Sequence, residues 1–182
     1  MNLPNKLTTG RMILVPFLVI FMLTGWGGSA NRWICLVIFC AASITDWMDG
    51  YIARHYNMVT NYGKLMDPLA DKLLTMSAFL CLVELDQVAA WMVIVILGRE
   101  FIITGMRQVA AAEGLVIAAG WSGKIKTVLQ MVAIPLLLLE NWPCNPYFGN
   151  FPLDQIVLWA ALVMTVVSGT EYIVKNREVF SQ

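Results

Sequence analysis

The sequence predicts an all-α integral membrane protein, with six transmembrane helices and a short N-terminal interfacial helix. Three observations carry this. The 182 residues are 59% hydrophobic with a mean hydropathy of +0.70, above the roughly 45–50% apolar usage of soluble chains. Six apolar stretches approach the length of about 20 residues that a spanning helix needs. Lysines, arginines and tryptophans collect near the ends of those stretches, as membrane interfaces favour. A chain of this length fits a single domain, 1–182.

Residues 1–9 place Leu3 and Leu7 at helical spacing among Pro4, Asn5, Lys6, Thr8 and Thr9, which suits a short helix on the membrane surface. The spans then follow at about 10–27, 32–55, 62–84, 87–111, 122–140 and 154–174. Gly25, Gly27, Gly28, Ser29 and Asn31 break the chain after the first span. The run Asn57 to Gly63 turns the second span back into the third, and Asn141, Pro143, Asn145, Pro146, Gly149 and Pro152 precede the last. Trp26, Trp33, Trp91, Trp121, Trp142 and Trp159 fall near segment ends, where an aromatic belt would lie.

Charge sets the orientation. Lys6, Arg11, Arg54, Lys64, Lys124, Lys126, Lys175 and Arg177 fall on one side, against Arg32 with Glu84, Asp86, Glu140 and Asp154 on the other. The basic side is expected to be cytoplasmic, with both termini there. The formal net charge is zero, so nothing draws the chain to nucleic acid. Cys35, Cys40, Cys81 and Cys144 form no CxxC pair, and three lie in apolar segments, so they read as small buried residues.

Within the apolar sequence, DWMDGYIARHYNMVTNYGKLMDPLAD carries Asp46, Asp49, Asp67 and Asp71. On translocon scales each carboxylate at a helix centre costs roughly 2.5–3.5 kcal/mol, so such residues usually serve function. Asp46 and Asp49 are three apart, Asp67 and Asp71 four apart, and both spacings put a pair on one helical face. Antiparallel packing of the two helices would bring the pairs to a common depth. Hard oxygen ligands at this density suit divalent cations, and two such ions could clamp a phosphoryl group during in-line displacement. Gly50 and Ala53 leave room beside the acidic face, and Arg54 offers a bidentate fork for phosphate. Small residues also serve close helix packing, and a cation pathway would also use intramembrane aspartates.

Asp46, Asp49, Gly50, Ala53, Arg54, Gly63, Asp67 and Asp71 reproduce the signature DxxDGxxARx8GxxxDxxxD at every fixed position, and the chain thereby resembles the CDP-alcohol phosphotransferase family. The resemblance implies a six-helix membrane fold, usually dimeric, that passes a phosphatidyl or related group from a CDP-linked donor to an alcohol. It implies that the four aspartates hold two divalent ions, Mg2+ or Mn2+, on the diphosphate, and that Asp71 deprotonates the acceptor hydroxyl. Gly50, Ala53, Arg54 and Gly63 match positions around the cytidine nucleotide, and Asn5 is placed with them on the CDP-diacylglycerol side.

The segments NLPNKLTTGR, GREFIITGMRQVAAAEG and GKIKT are similar to bacterial members of the family whose acceptor is glycerol 3-phosphate. That likeness places Arg107 and Lys124 at the acceptor phosphate; Arg99 and Lys126 are weaker candidates, and Glu100 and Glu113 are expected ion-pair partners. The same chemistry on inositol phosphate or an amino alcohol is the nearest alternative, and a divalent-cation transporter is the alternative of another class. His55 reads as a surface residue, and the sequence has neither a GxSxG elbow nor a Walker-type loop, so direct transfer without a covalent enzyme intermediate is expected. A homodimer in the bacterial cytoplasmic membrane, with the active site facing the cytoplasm, completes the expectation.

Overall fold

The computed structural model describes residues 3–55, 61–112, 114, 117, 120–140 and 151–177. It describes their side chains except at 3–6, 46, 47, 49–55, 61–65, 67, 68, 71 and 112. Among the described residues the long elements are all α-helices: α1 (Leu3–Thr24), α2 (Asn31–His55), α3 (Asn61–Glu84), α4 (Ala90–Ala112), α5 (Trp121–Leu138) and α6 (Leu153–Lys175), with a 3-10 turn at Gly28–Ala30. Three windows are long and apolar enough to cross a membrane, Leu7–Thr24, Gly28–Thr45 and Leu153–Lys175, and the chain is an integral membrane protein. The helices α3, α4 and α5 carry charged candidates of the functional site, which lower their hydropathy.

α1 runs without a break from Leu3 to Thr24, with Pro16 inside it. The surface helix expected at 1–9 and the first span therefore share one element from Leu3 onward. The chain divides into two compact units, Met1–Gln87 and Val88–Gln182.

In the first unit α1 packs against both α2 and α3, and α2 also packs against α3. α1 ends where Gly25 takes φ +63°, a left-handed conformation that favours glycine at a helix C-terminus. Thr8, Arg11, Val15, Leu18 and Met22 form its buried stripe, at alternating three- and four-residue steps. Cys35, Phe39 and Ala42 are the buried stripe of α2, and Ala70, Leu74, Ala78 and Leu82 that of α3. Leu69, Leu73 and Leu80 lie exposed on the outer face of α3, where membrane hydrocarbon would cover them. α3 closes in a Schellman motif: Gln87 N–H donates to the Leu82 carbonyl at 2.9 Å and Asp86 N–H to the Val83 carbonyl at 3.0 Å. Asp86 takes the left-handed position, with φ +56°.

In the second unit α4 and α5 each pack against α6. The Trp91 and Trp159 rings lie 5.7 Å apart near the starts of α4 and α6, and Arg107 meets Tyr172 near their ends, so these helices run parallel. Ser122 meets Glu171 and Gln130 meets Thr165, so α5 runs antiparallel to α6. Such directions are what alternating spans require. Cys35 and Cys81 are buried, as expected, whereas Cys40 is part-buried; Cys144 lies outside the described residues.

Candidate functional site

The backbone of α2 is helical through Asp46, Asp49, Gly50, Ala53 and Arg54, and that of α3 through Gly63, Asp67 and Asp71. Their side chains, with that of Asn5, lie outside the described residues, as does that of His55. Register still places them. The buried stripe of α2, at 35, 39 and 42, continues by the same helical steps through positions 46, 49 and 53. On α3, position 67 lies three residues before buried Ala70 and position 71 three before buried Leu74, the spacing of one helical face. Both aspartate pairs therefore occupy positions on the packed faces of two helices that touch each other. Carboxylates are donors of the kind that Mg2+ or Mn2+ takes, so these residue types fit the divalent ions that the sequence suggests.

The structure adds a residue that the sequence reading counted only among cytoplasmic positive charges. Arg11 is 1% exposed, on the buried stripe of α1. With α1 and α2 joined by a short turn, Arg11 lies about 20 Å from the end of α1 and Asp46 about 22 Å from the start of α2, at 1.5 Å per residue. The two positions stand level. The signal was present in the sequence, because Thr8, Arg11, Val15, Leu18 and Met22 keep one helical period.

Arg99, Arg107 and Lys124, the acceptor candidates, fall in the second unit. Arg99 Nη1 donates to Glu100 Oε1 at 3.0 Å, and the buried Lys126 ammonium pairs with the same oxygen. Glu100 thus pairs with Arg99 and Lys126, whereas the sequence offered it to Arg107 and Lys124; Glu113 lies outside the described residues. Arg107 is exposed. Its Nε–H donates to the Tyr172 hydroxyl at 3.4 Å, and its guanidinium carbon stands 5.5 Å from the centre of the Tyr172 ring. The ammonium of Lys124 lies 4.9 Å from the centre of the Trp121 ring, a cation–π distance.

One turn of α6 organises these groups. Gly169 lies against Arg99, Glu171 accepts a hydrogen bond from Ser122 Oγ at 2.5 Å, and Tyr172 holds Arg107. Glu171 also takes Lys175 at 2.6 Å. The structure brings Arg99 and Arg107 to α6 directly and Lys124 by way of Ser122, two residues before it in the chain. A groove of about 190 Å³ beside Arg99 is lined otherwise by uncharged residues such as Val95, Ile102, Val166 and Ile173, a lining suited to hydrocarbon.

Aspartate pairs on the adjoining helices α2 and α3, in a helical membrane chain, go with likeness to one class of protein, the membrane-embedded transferases. The family model for CDP-alcohol phosphatidyltransferase matches residues 1–167, and the chain belongs to that family. It is 48% identical to the CDP-diacylglycerol–glycerol-3-phosphate 3-phosphatidyltransferase of Bacillus subtilis, over 97% of this chain and 96% of that one. Proteins of the same name from Rickettsia typhi and Haemophilus influenzae are 38% identical over 94% of this chain and 94% of theirs, and 37% identical over 94% and 91%.

Proposed function

We propose that this protein transfers the phosphatidyl group of CDP-diacylglycerol to the hydroxyl of sn-glycerol 3-phosphate, giving phosphatidylglycerophosphate and CMP, in phospholipid biosynthesis. It acts as a homodimer in a bacterial cytoplasmic membrane, with its active site and both termini towards the cytoplasm. The family match extends across both compact units, which supports a single catalytic domain over 1–182. The observation that carries the reading is the full aspartate signature on the packed faces of α2 and α3, in a chain 48% identical to a relative of that name.

Asp46, Asp49, Asp67 and Asp71 would hold two divalent ions, Mg2+ or Mn2+, which when bound neutralise charge on the diphosphate oxygens. Asn5, Gly50, Ala53, Arg54 and Gly63 receive the CDP-lipid, the small residues giving the nucleotide room and Arg54 binding phosphate. Asp71 accepts the proton of the acceptor hydroxyl. That oxygen forms a bond to the β-phosphorus while the bond to the bridging oxygen breaks, and its electron pair leaves with CMP. Arg107 and Lys124, with Arg99, bind the phosphate of glycerol 3-phosphate and fix its hydroxyl for attack. No side chain needs to carry a covalent intermediate.

The test is an acceptor panel. Purified protein with CDP-diacylglycerol and Mg2+ receives glycerol 3-phosphate, inositol phosphate or an amino alcohol in separate reactions, and lipid products are read by mass spectrometry. Phosphatidylglycerophosphate from the first reaction alone is the expected result. A product only with another acceptor removes the assignment, and cation flux into liposomes without CMP release replaces it with transport.

A further inference from the structure

The second unit shows how an exposed arginine can be made a precise ligand. Arg107 is a long, exposed side chain, and immobilising such a chain on substrate binding costs conformational entropy. Tyr172 is 7% exposed, packed with Ile103 and Met106 of α4 and with Ile117. Its ring is therefore a fixed platform. The ring face attracts the guanidinium, and the hydroxyl takes the Nε–H. The two terminal amino groups remain as the fork for a phosphate. Adjacent residues on a helix point about 100° apart, so Glu171 faces a different neighbour and binds Ser122 in the first turn of α5, the turn that carries Lys124.

We propose that Glu171 and Tyr172 of α6 are positioning residues for the acceptor. Tyr172 orients Arg107 from α4 and Glu171 anchors the turn of α5 that presents Lys124, so one dipeptide sets the spacing of two phosphate-binding cations. This inference rests on the assignment of Arg107 and Lys124 to the acceptor phosphate made above. Neither residue touches the reacting atoms. Their loss should weaken acceptor binding while leaving donor binding alone.

The experiment measures kcat and separate KM values for glycerol 3-phosphate and CDP-diacylglycerol, using the full-length protein in detergent. Tyr172→Phe keeps the ring and the packing but removes the hydroxyl, and should raise the acceptor KM by about three- to tenfold. Tyr172→Leu removes the ring as well and should raise it further. Glu171→Ala should also raise it, whereas Glu171→Gln, which still offers Ser122 an acceptor oxygen, should restore most of the loss. The donor KM should stay at the wild-type value throughout. Wild-type acceptor KM in both Tyr172 variants, or equal rises in both KM values, overturns the inference. Arg107→Ala separates the two readings. If it leaves the acceptor KM unchanged, the phosphate assignment falls and this inference with it; if it raises that KM and the Tyr172 variants do not, the positioning role alone falls.

Discussion

Arg99 of α4 lies so close to Gly169 of α6 that a methyl group at 169 would come within 3.1 Å of its Cγ, and one at Gly123 of α5 within 3.3 Å of a guanidinium nitrogen. The two glycines leave the space through which this side chain passes. Arg99 therefore owes its position to missing side chains on two other helices. Gly169→Ala should displace it and raise the KM for glycerol 3-phosphate. The gain in helix propensity, about 0.5–1 kcal/mol, should offset the steric cost and keep thermal stability close to wild type. Gly105→Ala is the control, because nothing lies within 4 Å of a methyl group there. It should leave the acceptor KM unchanged.

Glu100 is one carboxylate shared by two cations, with side-chain exposures of 18% for Glu100, 13% for Arg99 and 4% for Lys126. Removing Lys126 leaves Glu100 still paired with Arg99, so Lys126→Met should cost about 1–3 kcal/mol. Glu100→Gln takes the shared carboxylate from both cations at once and should cost more, about 3–5 kcal/mol. Thermal unfolding in detergent measures the order. The reverse order would show that Glu100 is not the centre of the cluster.

Arg11 gives a sharper case. A guanidinium 1% exposed on α1 must be compensated by charge or dipoles on the helices that pack against it. Arg11→Met should therefore lower stability by about 3–5 kcal/mol and reduce phosphatidyl transfer more than tenfold. Arg11→Lys keeps the charge without the planar fork and should fall between the two. An Arg11→Met protein with normal unfolding temperature and normal turnover would contradict the reading of this residue.

The aspartates should separate by role. Asp71→Asn removes the proposed base, so turnover should fall by about 10²–10⁴-fold while CDP-diacylglycerol still binds. Asp46→Asn and Asp67→Asn should raise the Mg2+ concentration needed for half-maximal activity as well as lowering the rate. Binding of the donor by isothermal titration, together with Mg2+ titrations of activity, distinguishes the classes. Near-normal rates in all three variants would remove the metal assignment.

Much of this was legible in the residues, for identifiable reasons. Helical periodicity in a largely apolar chain marks the elements, and glycine at 25 marks an end that the backbone confirms with φ +63°. The expected 1–9 segment was harder to delimit, because Asn5, Lys6, Thr8 and Thr9 make it polar while α1 runs on through it from Leu3. The end of α3 at Glu84 matches the expected 62–84, although an aspartate, Asp86, occupies the left-handed position that glycine usually fills. Among the acceptor candidates, basic residue types pointed to Arg99, Arg107 and Lys124, but sequence distance concealed what arranges them. Tyr172 and Arg107 are 65 positions apart, and only packing of parallel helices brings them together.

Carboxylates from α2 and α3 are proposed to hold divalent ions on the donor diphosphate. The most direct measurement of this is CMP release from CDP-diacylglycerol and glycerol 3-phosphate by protein stripped with a chelator and then titrated with Mg2+ or Mn2+. No CMP after stripping, and full recovery on adding either ion in excess of the chelator, is the expected result. CMP formed at an undiminished rate in the continued presence of chelator would contradict it.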